Sequence, residues 1–252
     1  MNHKNLCMAS VLAFAIAAPH AMAQEEGAME PESYIYATYH HCKLDKLDKA
    51  DKLVEENQAP VYNAMVDEGL ITGWGWMGHH TGGHWRRINF FSAPSLNALL
   101  DAQDTFGERM DESAPKDGPQ MNKICTSHDD YIWRAEAGGG SNAAGRSVFS
   151  TYLVCDEMRE ARADEIMKEN FAPIYNRYVD EGKLGSWGWL SHWVGGKFRR
   201  LLTISGDDMK SVLASRDALI GELYADDNEA GTEFNQICSS HVDYMWMALD
   251  GR

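Results

Sequence analysis

Two rhythms of apolar residues alternate along this chain, and they do so twice in the same order. Tyr34–His41 and Val148–Val154 are dense in aromatic and β-branched residues, the composition of a β-strand. After each comes helical spacing: Lys46–Glu68 carries Leu47, Ala50, Leu53, Val54, Val61 and Met65, and Arg159–Glu181 is its later counterpart. Pro60 and Pro173 fall inside these stretches. A proline removes a backbone donor and crowds the preceding turn, so each predicts a kink or a restarted helix. Gly69 and Gly182 follow as left-handed caps. Gly73–His79 then predicts a second strand, Gly82-Gly83 (Gly195-Gly196 in the later set) a hairpin turn, and Trp85 (Phe198) the start of a third strand. Leu96–Met110 and Met209–Leu223 return to helical spacing, and Ile124–Trp133 and Ile237–Trp246 close each set as a fourth strand.

The recurrence is a duplication. Aligning Thr38–Gly138 with Thr151–Gly251, an offset of 113 positions, needs no gap, and 37 of the 101 pairs are identical. Each copy reads strand, helix, strand, strand, helix, strand, the ferredoxin-like order, whose antiparallel sheet sets strand four beside strand one. The organisation expected is a leader at 24–33, repeat one at 34–137, a Gly/Ser/Ala linker at 138–146 and repeat two at 147–252.

Ahead of these lies a processing signal. Lys4, the short apolar run Ala9–Ala18 and the small residues of Ala21-Met22-Ala23 read as a signal peptide at 1–23. Its removal takes away one lysine and no acid, so the formal charge moves from −15 to −16. That acidity argues against nucleic acid or an anionic membrane as partner. Periplasmic or secreted localisation follows, and there an even count of cysteines reads as disulfides. Cys7 leaves with the signal; of three connectivities for the other four, the duplication favours Cys42–Cys125 and Cys155–Cys238. The topology agrees, because the end of strand one meets the start of strand four.

Two ferredoxin-like βαββαβ units in one chain resemble the dimeric α+β barrel superfamily with its dimer fused in tandem, an α+β fold. The resemblance rests on element order and duplication over nearly the whole mature chain. It implies two sheets enclosing a cavity, and functions ranging from cofactor-independent monooxygenases to ligand-binding proteins and haem enzymes. The GxxDG motif of dye-decolorizing peroxidases is absent, as is any chlorite dismutase signature. GxSxG, Walker, HExxH and dinucleotide motifs are absent too, which removes serine-hydrolase, nucleotide-dependent and zinc-protease readings.

The candidate chemistry lies in residues kept in both copies. His128 and Asp130 share a strand face, as do His241 and Asp243; such a pair suits an oriented general base, two metal ligands, or simply a structural hydrogen bond. His79 and His192 end the second strand. Arg86 and Arg199 open the third and suit an anion clamp or a structural ion pair with Asp130 or Asp243. Trp76 and Trp189 could stack on an aromatic ligand or fill a core. His40, His41, His80 and His84 occur in repeat one only, against Leu153, Val154, Trp193 and Lys197. The leading expectation is a binding protein for a small aromatic or tetrapyrrole-like ligand. A cofactor-independent monooxygenase or a purely structural protein are the alternatives; haem, a transition metal and a homo-oligomer stay open.

Overall fold

The computed structural model describes residues 33–141, 146–225 and 227–252. The signal expected at 1–23, the leader up to residue 32 and linker positions 142–145 lie outside the described residues. Unit one comprises β1 (Tyr34–Cys42), α1 (Leu47–Leu53), α2 (Ala59–Asp67), β2 (Gly73–Gly82), β3 (Arg87–Ala93), α3 (Leu96–Ser113), α4 (Asp117–Ile124) and β4 (Cys125–Gly140). Unit two repeats the order as β5 (Ser147–Val154), α5 (Glu160–Ile166), α6 (Ala172–Asp180), β6 (Ser186–Val194), β7 (Arg200–Gly206), α7 (Met209–Leu223), α8 (Glu229–Ile237) and β8 (Ser240–Gly251).

Of the two outcomes expected at the proline, the structure shows the restarted helix. The first helix widens into a π turn, Val54–Gln58 or Met167–Phe171, and the proline then sits at the first positions of the next helical segment. There its missing N–H costs nothing that an α-helical ladder would have supplied. Gly69 and Gly182 take φ of +72° and +68°, the left-handed caps expected of them. α4 and α8 were not legible, because Gly118, Pro119 and Gly231 interrupt the periodicity of short segments. The fourth strand of unit one also outruns its expected end. Gly138, Gly139 and Gly140, assigned to a linker by composition, pair with Gly188, Trp187 and Ser186. Glycine fits because a Cβ on Gly139 would stand 2.6 Å from Asn176 Oδ1 and 2.8 Å from Trp187 Nε1.

The strands close a barrel in the order β1-β3-β2-β8-β5-β7-β6-β4, every pairing antiparallel. Each unit contributes a ferredoxin-like sheet, and two seams, β2 with β8 and β4 with β6, join the units. Disulfides Cys42–Cys125 and Cys155–Cys238 tie the end of the first strand of each unit to the start of its fourth. Chained antiparallel pairing makes β1, β2, β5 and β6 run the same way. Both hairpin tips and both disulfides therefore gather at one mouth of the barrel. Helices cover the outside of each sheet, giving two outer cores, and a third cluster packs inside the barrel.

Candidate functional site

Pairing register decides which residues look inward. Ala37, Tyr39, Tyr131 and Trp133 of unit one, and Ser150, Tyr152, Tyr244 and Trp246 of unit two, share the lumen face. The six large rings among them are buried together with Trp85 and Phe198, which descend from the two hairpin loops. Tyr131 stacks on Trp133 at 4.9 Å and Tyr244 on Trp246 at 5.0 Å, while Trp85 lies 4.2 Å from Tyr39 and 4.9 Å from Tyr244. Such offset and edge contacts each add about 0.5–1.5 kcal/mol to simple burial. The mouth half of the lumen is thus a solid aromatic block.

The hairpins reach across it. Gly82 and Gly195 take φ of +123° and +141°, and a Cβ on Gly83 or Gly196 would stand 2.2 Å or 2.5 Å from the hydroxyl of Tyr244 or Tyr131. Each glycine pair lets one unit's hairpin lie against the other unit's tyrosine. The backbone N–H of His84 donates to the Tyr244 hydroxyl at 2.9 Å.

Away from the mouth the lining changes. Phe90 faces Ala37 and Gly75 across its two pairings, and Thr203 faces Ser150 and Gly188. Both sit at mid-strand with partner strands on either side, yet both are partly exposed. They share the lumen face with Ile35 and Val148, which are also partly exposed.

The expected site residues divide between these environments. His79 points inward with its ring 5.9 Å from Trp246 and 6.2 Å from Tyr244, and its Nε2 lies 3.3 Å from the Gly82 carbonyl. His192 holds the same place against Tyr131 and Trp133. Burial lowers the pKa of both; Arg199 lowers His192 further, and for His79 the Gly82 carbonyl opposes the effect in part. Arg199 is spent on Glu160 at 2.5 Å and on His192 Nδ1 at 3.1 Å. In unit one the position of Glu160 is Leu47, and Arg86 donates instead to the carbonyls of Gly83 and Trp85, at 3.1 and 3.3 Å.

Trp76 and Trp189 face the helices. Trp76 Nε1 donates to Asp51 and Trp189 Nε1 to Asp164, both at 2.8 Å, and each aspartate also takes a two-pronged ion pair from Arg87 or Arg200. The two tryptophans therefore tie the sheet to its first helix and lie away from the lumen. This also corrects the expected arginine partners: of each consecutive pair, Arg87 and Arg200 take Asp51 and Asp164 on the helix side and Arg199 takes Glu160, not Asp130 or Asp243. His128 contacts Asp130 at 3.0 Å and His241 contacts Asp243 at 3.6 Å, on the outer sheet face, with both histidines exposed. Asp243 is shared with Arg216 at 3.1 Å. A substrate inside the barrel would not meet either dyad.

One polar group at the mouth was not anticipated. Asp129 Oδ2 accepts from Trp85 Nε1 at 2.6 Å and lies 3.0 Å from His41 Nε2. Burial pushes the Asp129 carboxyl up, but the bonds from Trp85 and His41 outweigh it and hold the pKa below its ordinary value. The positions 113 residues on are Val242, Phe198 and Val154. Three polar residues replaced together were a readable signal, but only to a comparison of what differs between the repeats.

No protein-family model matches the chain, and no curated protein matches it. Its fold is that of the dimeric α+β barrels. It is similar to a candidate monooxygenase from Lactobacillus acidophilus NCFM, with a TM-score of 0.57 and 10% identity over 87% of this chain and 95% of that one. A second candidate monooxygenase, from Fusobacterium nucleatum, gives 0.58 and 12% over 89% and 95%. A chlorite dismutase variant from Candidatus Nitrospira defluvii gives 0.50 and 10% over 85% and 91%. At such identities the likeness is one of fold.

Haem does not fit beside the inward histidines. His192 Nδ1 takes Arg199 while its Nε2 is buried, His79 Nε2 lies 3.3 Å from the Gly82 carbonyl, and His41 Nε2 is bonded to Asp129. Among the described residues no three His, Cys, Asp or Glu side chains converge as a metal site, and no helix is long and apolar enough to cross a membrane.

Proposed function

We propose that this protein binds a compact, flat, apolar molecule in the half of the lumen away from the hairpins, outside the cytoplasm. The observation that carries the reading is the exposure of Phe90 and Thr203 at the centres of fully paired strands. Around them Gly75, Gly188, Ala37 and Ser150 contribute almost no side-chain volume, and the aromatic block forms a floor on which a ring can stack. An enclosed apolar space with few polar groups is the usual form of a small-molecule site. The aromatic block makes a compact ligand a better fit than a tetrapyrrole. The two disulfides and the signal read at 1–23 support an extracytoplasmic setting.

The test is a titration with N-phenylnaphthylamine, a neutral aromatic probe, following its emission and energy transfer from Trp133 and Trp246. Saturable binding is expected, weakened at least tenfold, or roughly 1.4 kcal/mol, in Thr203→Phe, which copies Phe90 into the second unit. Absence of saturable binding, or binding that Thr203→Phe and Ser150→Leu both leave intact, overturns the proposal.

A further inference from the structure

Corresponding surface positions of the two units have different electrostatic outcomes. Beside the Cys42–Cys125 bridge, Lys43, Lys46, Lys49, Gln120, Lys123 and Ile124 line an open hollow of about 310 Å³. Lys43 Nζ donates to the Lys123 carbonyl at 2.9 Å, which draws the start of α1 to the end of α4. Among the described residues the only ion pair made by these four lysines is Lys46 with Asp45, at 3.2 Å.

Unit two has Asp156, Arg159, Arg162, Glu233, Gln236 and Ile237 at the corresponding positions. There Glu233 takes Arg159 at 3.5 Å and Arg162 at 2.9 Å, and Glu165 takes Arg162 at 3.1 Å. The acid that neutralises the second copy is Gln120 in the first, and Asp156 and Gln236 are both lysines. A change at a single position would be drift. Here the substitutions that remove the acids and those that add the cations meet in one hollow.

Like charges crowded on a surface repel one another, and on a chain of formal charge −15 such a concentration of lysines stands against the general field. A bound anion relieves both. Ammonium groups on flexible stems suit a multiply charged anion approached from several sides, each acting as a point charge with rotatable donors. A hollow of about 310 Å³ takes an anion of metabolite size.

We propose that this hollow is a binding site for a compact polyanion, a di- or triphosphate or a tricarboxylate, separate from the lumen. The decisive experiment is calorimetric titration of the disulfide-bonded mature protein with inorganic pyrophosphate, with citrate as a second arm and chloride as a monovalent control. Saturable one-site binding that weakens steeply with salt is expected. Tighter pyrophosphate than citrate assigns the phosphate source, and the reverse assigns the carboxylate. Gln120→Glu, which restores the acid of unit two, should weaken binding at least tenfold, and Lys46→Gln/Lys49→Gln should do the same. Glu233→Gln, changed on the far unit, serves as a control that leaves binding intact. Binding absent in the parent protein, or unmoved by both Gln120→Glu and the double lysine variant while their far-ultraviolet dichroism matches the parent, refutes the site.

Discussion

Replacing His40 by leucine tests the inner electrostatics of unit one directly. His40 is largely buried on the helix side of β1, with its ring 5.6 Å from Trp76 and 6.0 Å from His128. Burial first, then the charges of His128 and His41, lowers its pKa from the ordinary 6.5 to about 4. The folded imidazole therefore stays neutral while the unfolded one takes a proton as the pH falls below 6.5. Stability is level above that point and drops between 6.5 and 4, since the unfolded state binds more protons there. A displacement of that size amounts to at most about 2 kcal/mol lost by pH 5, using 1.36 kcal/mol per pKa unit. The corresponding residue in unit two is Leu153, buried in the outer core, so His40→Leu places a known tenant in an equivalent pocket. Urea unfolding at pH 7.5 and pH 5 should show the parent losing about 2 kcal/mol more than the variant across that interval. Equal losses in the two proteins would refute the reasoning.

Other outcomes follow from the same geometry. Asp51→Ala removes the partner of Arg87 and of the Trp76 indole, and stranding that buried guanidinium should cost about 3 kcal/mol by urea midpoint. Asp164→Ala should cost less in unit two, because Arg200 keeps Glu160 at 3.0 Å. Each disulfide closes a span of 83 residues, so replacing either pair by alanine should cost about 4.5 kcal/mol by chain entropy. Trp85→Phe copies Phe198 and removes a donor from Asp129, whose carboxyl titration, followed by carbon NMR, should move to higher pH.

The element order and both bridges were legible because the duplication states them twice. Which sheet face is inner was not. Alternation says that Trp74 and Trp76 share a face and that Tyr131 and Trp133 share one, but both faces here are apolar, one against helices and one inside the barrel. That ambiguity left Trp76 and Trp189 open between stacking on a ligand and filling a core, and hid the tyrosines that occupy the lumen. Selecting residues kept in both repeats also favoured scaffolding, since Trp76 and Arg87 persist to hold Asp51 just as Trp189 and Arg200 hold Asp164. The mouth group of His41, Asp129 and Trp85 and the lysine hollow lie where the copies disagree, so a filter of identity passes over them.

The two seams bear on how the halves of this chain have been able to diverge. Neither unit owns a finished sheet: β2 needs β8, β6 needs β4, and the hairpin glycines of each half are cut to fit a tyrosine of the other. An alteration at such a join must be answered across it, which ties the two copies together at Tyr131 and Tyr244, at Gly83 and Gly196, and at Trp133 and Trp246. The helix ends bear no such obligation. Fusion into one polypeptide removed the requirement, unavoidable in a pair of identical subunits, that every change appear in both places. A chain built this way can keep one helical end as an inert ion-paired cap while the other acquires a chemistry of its own.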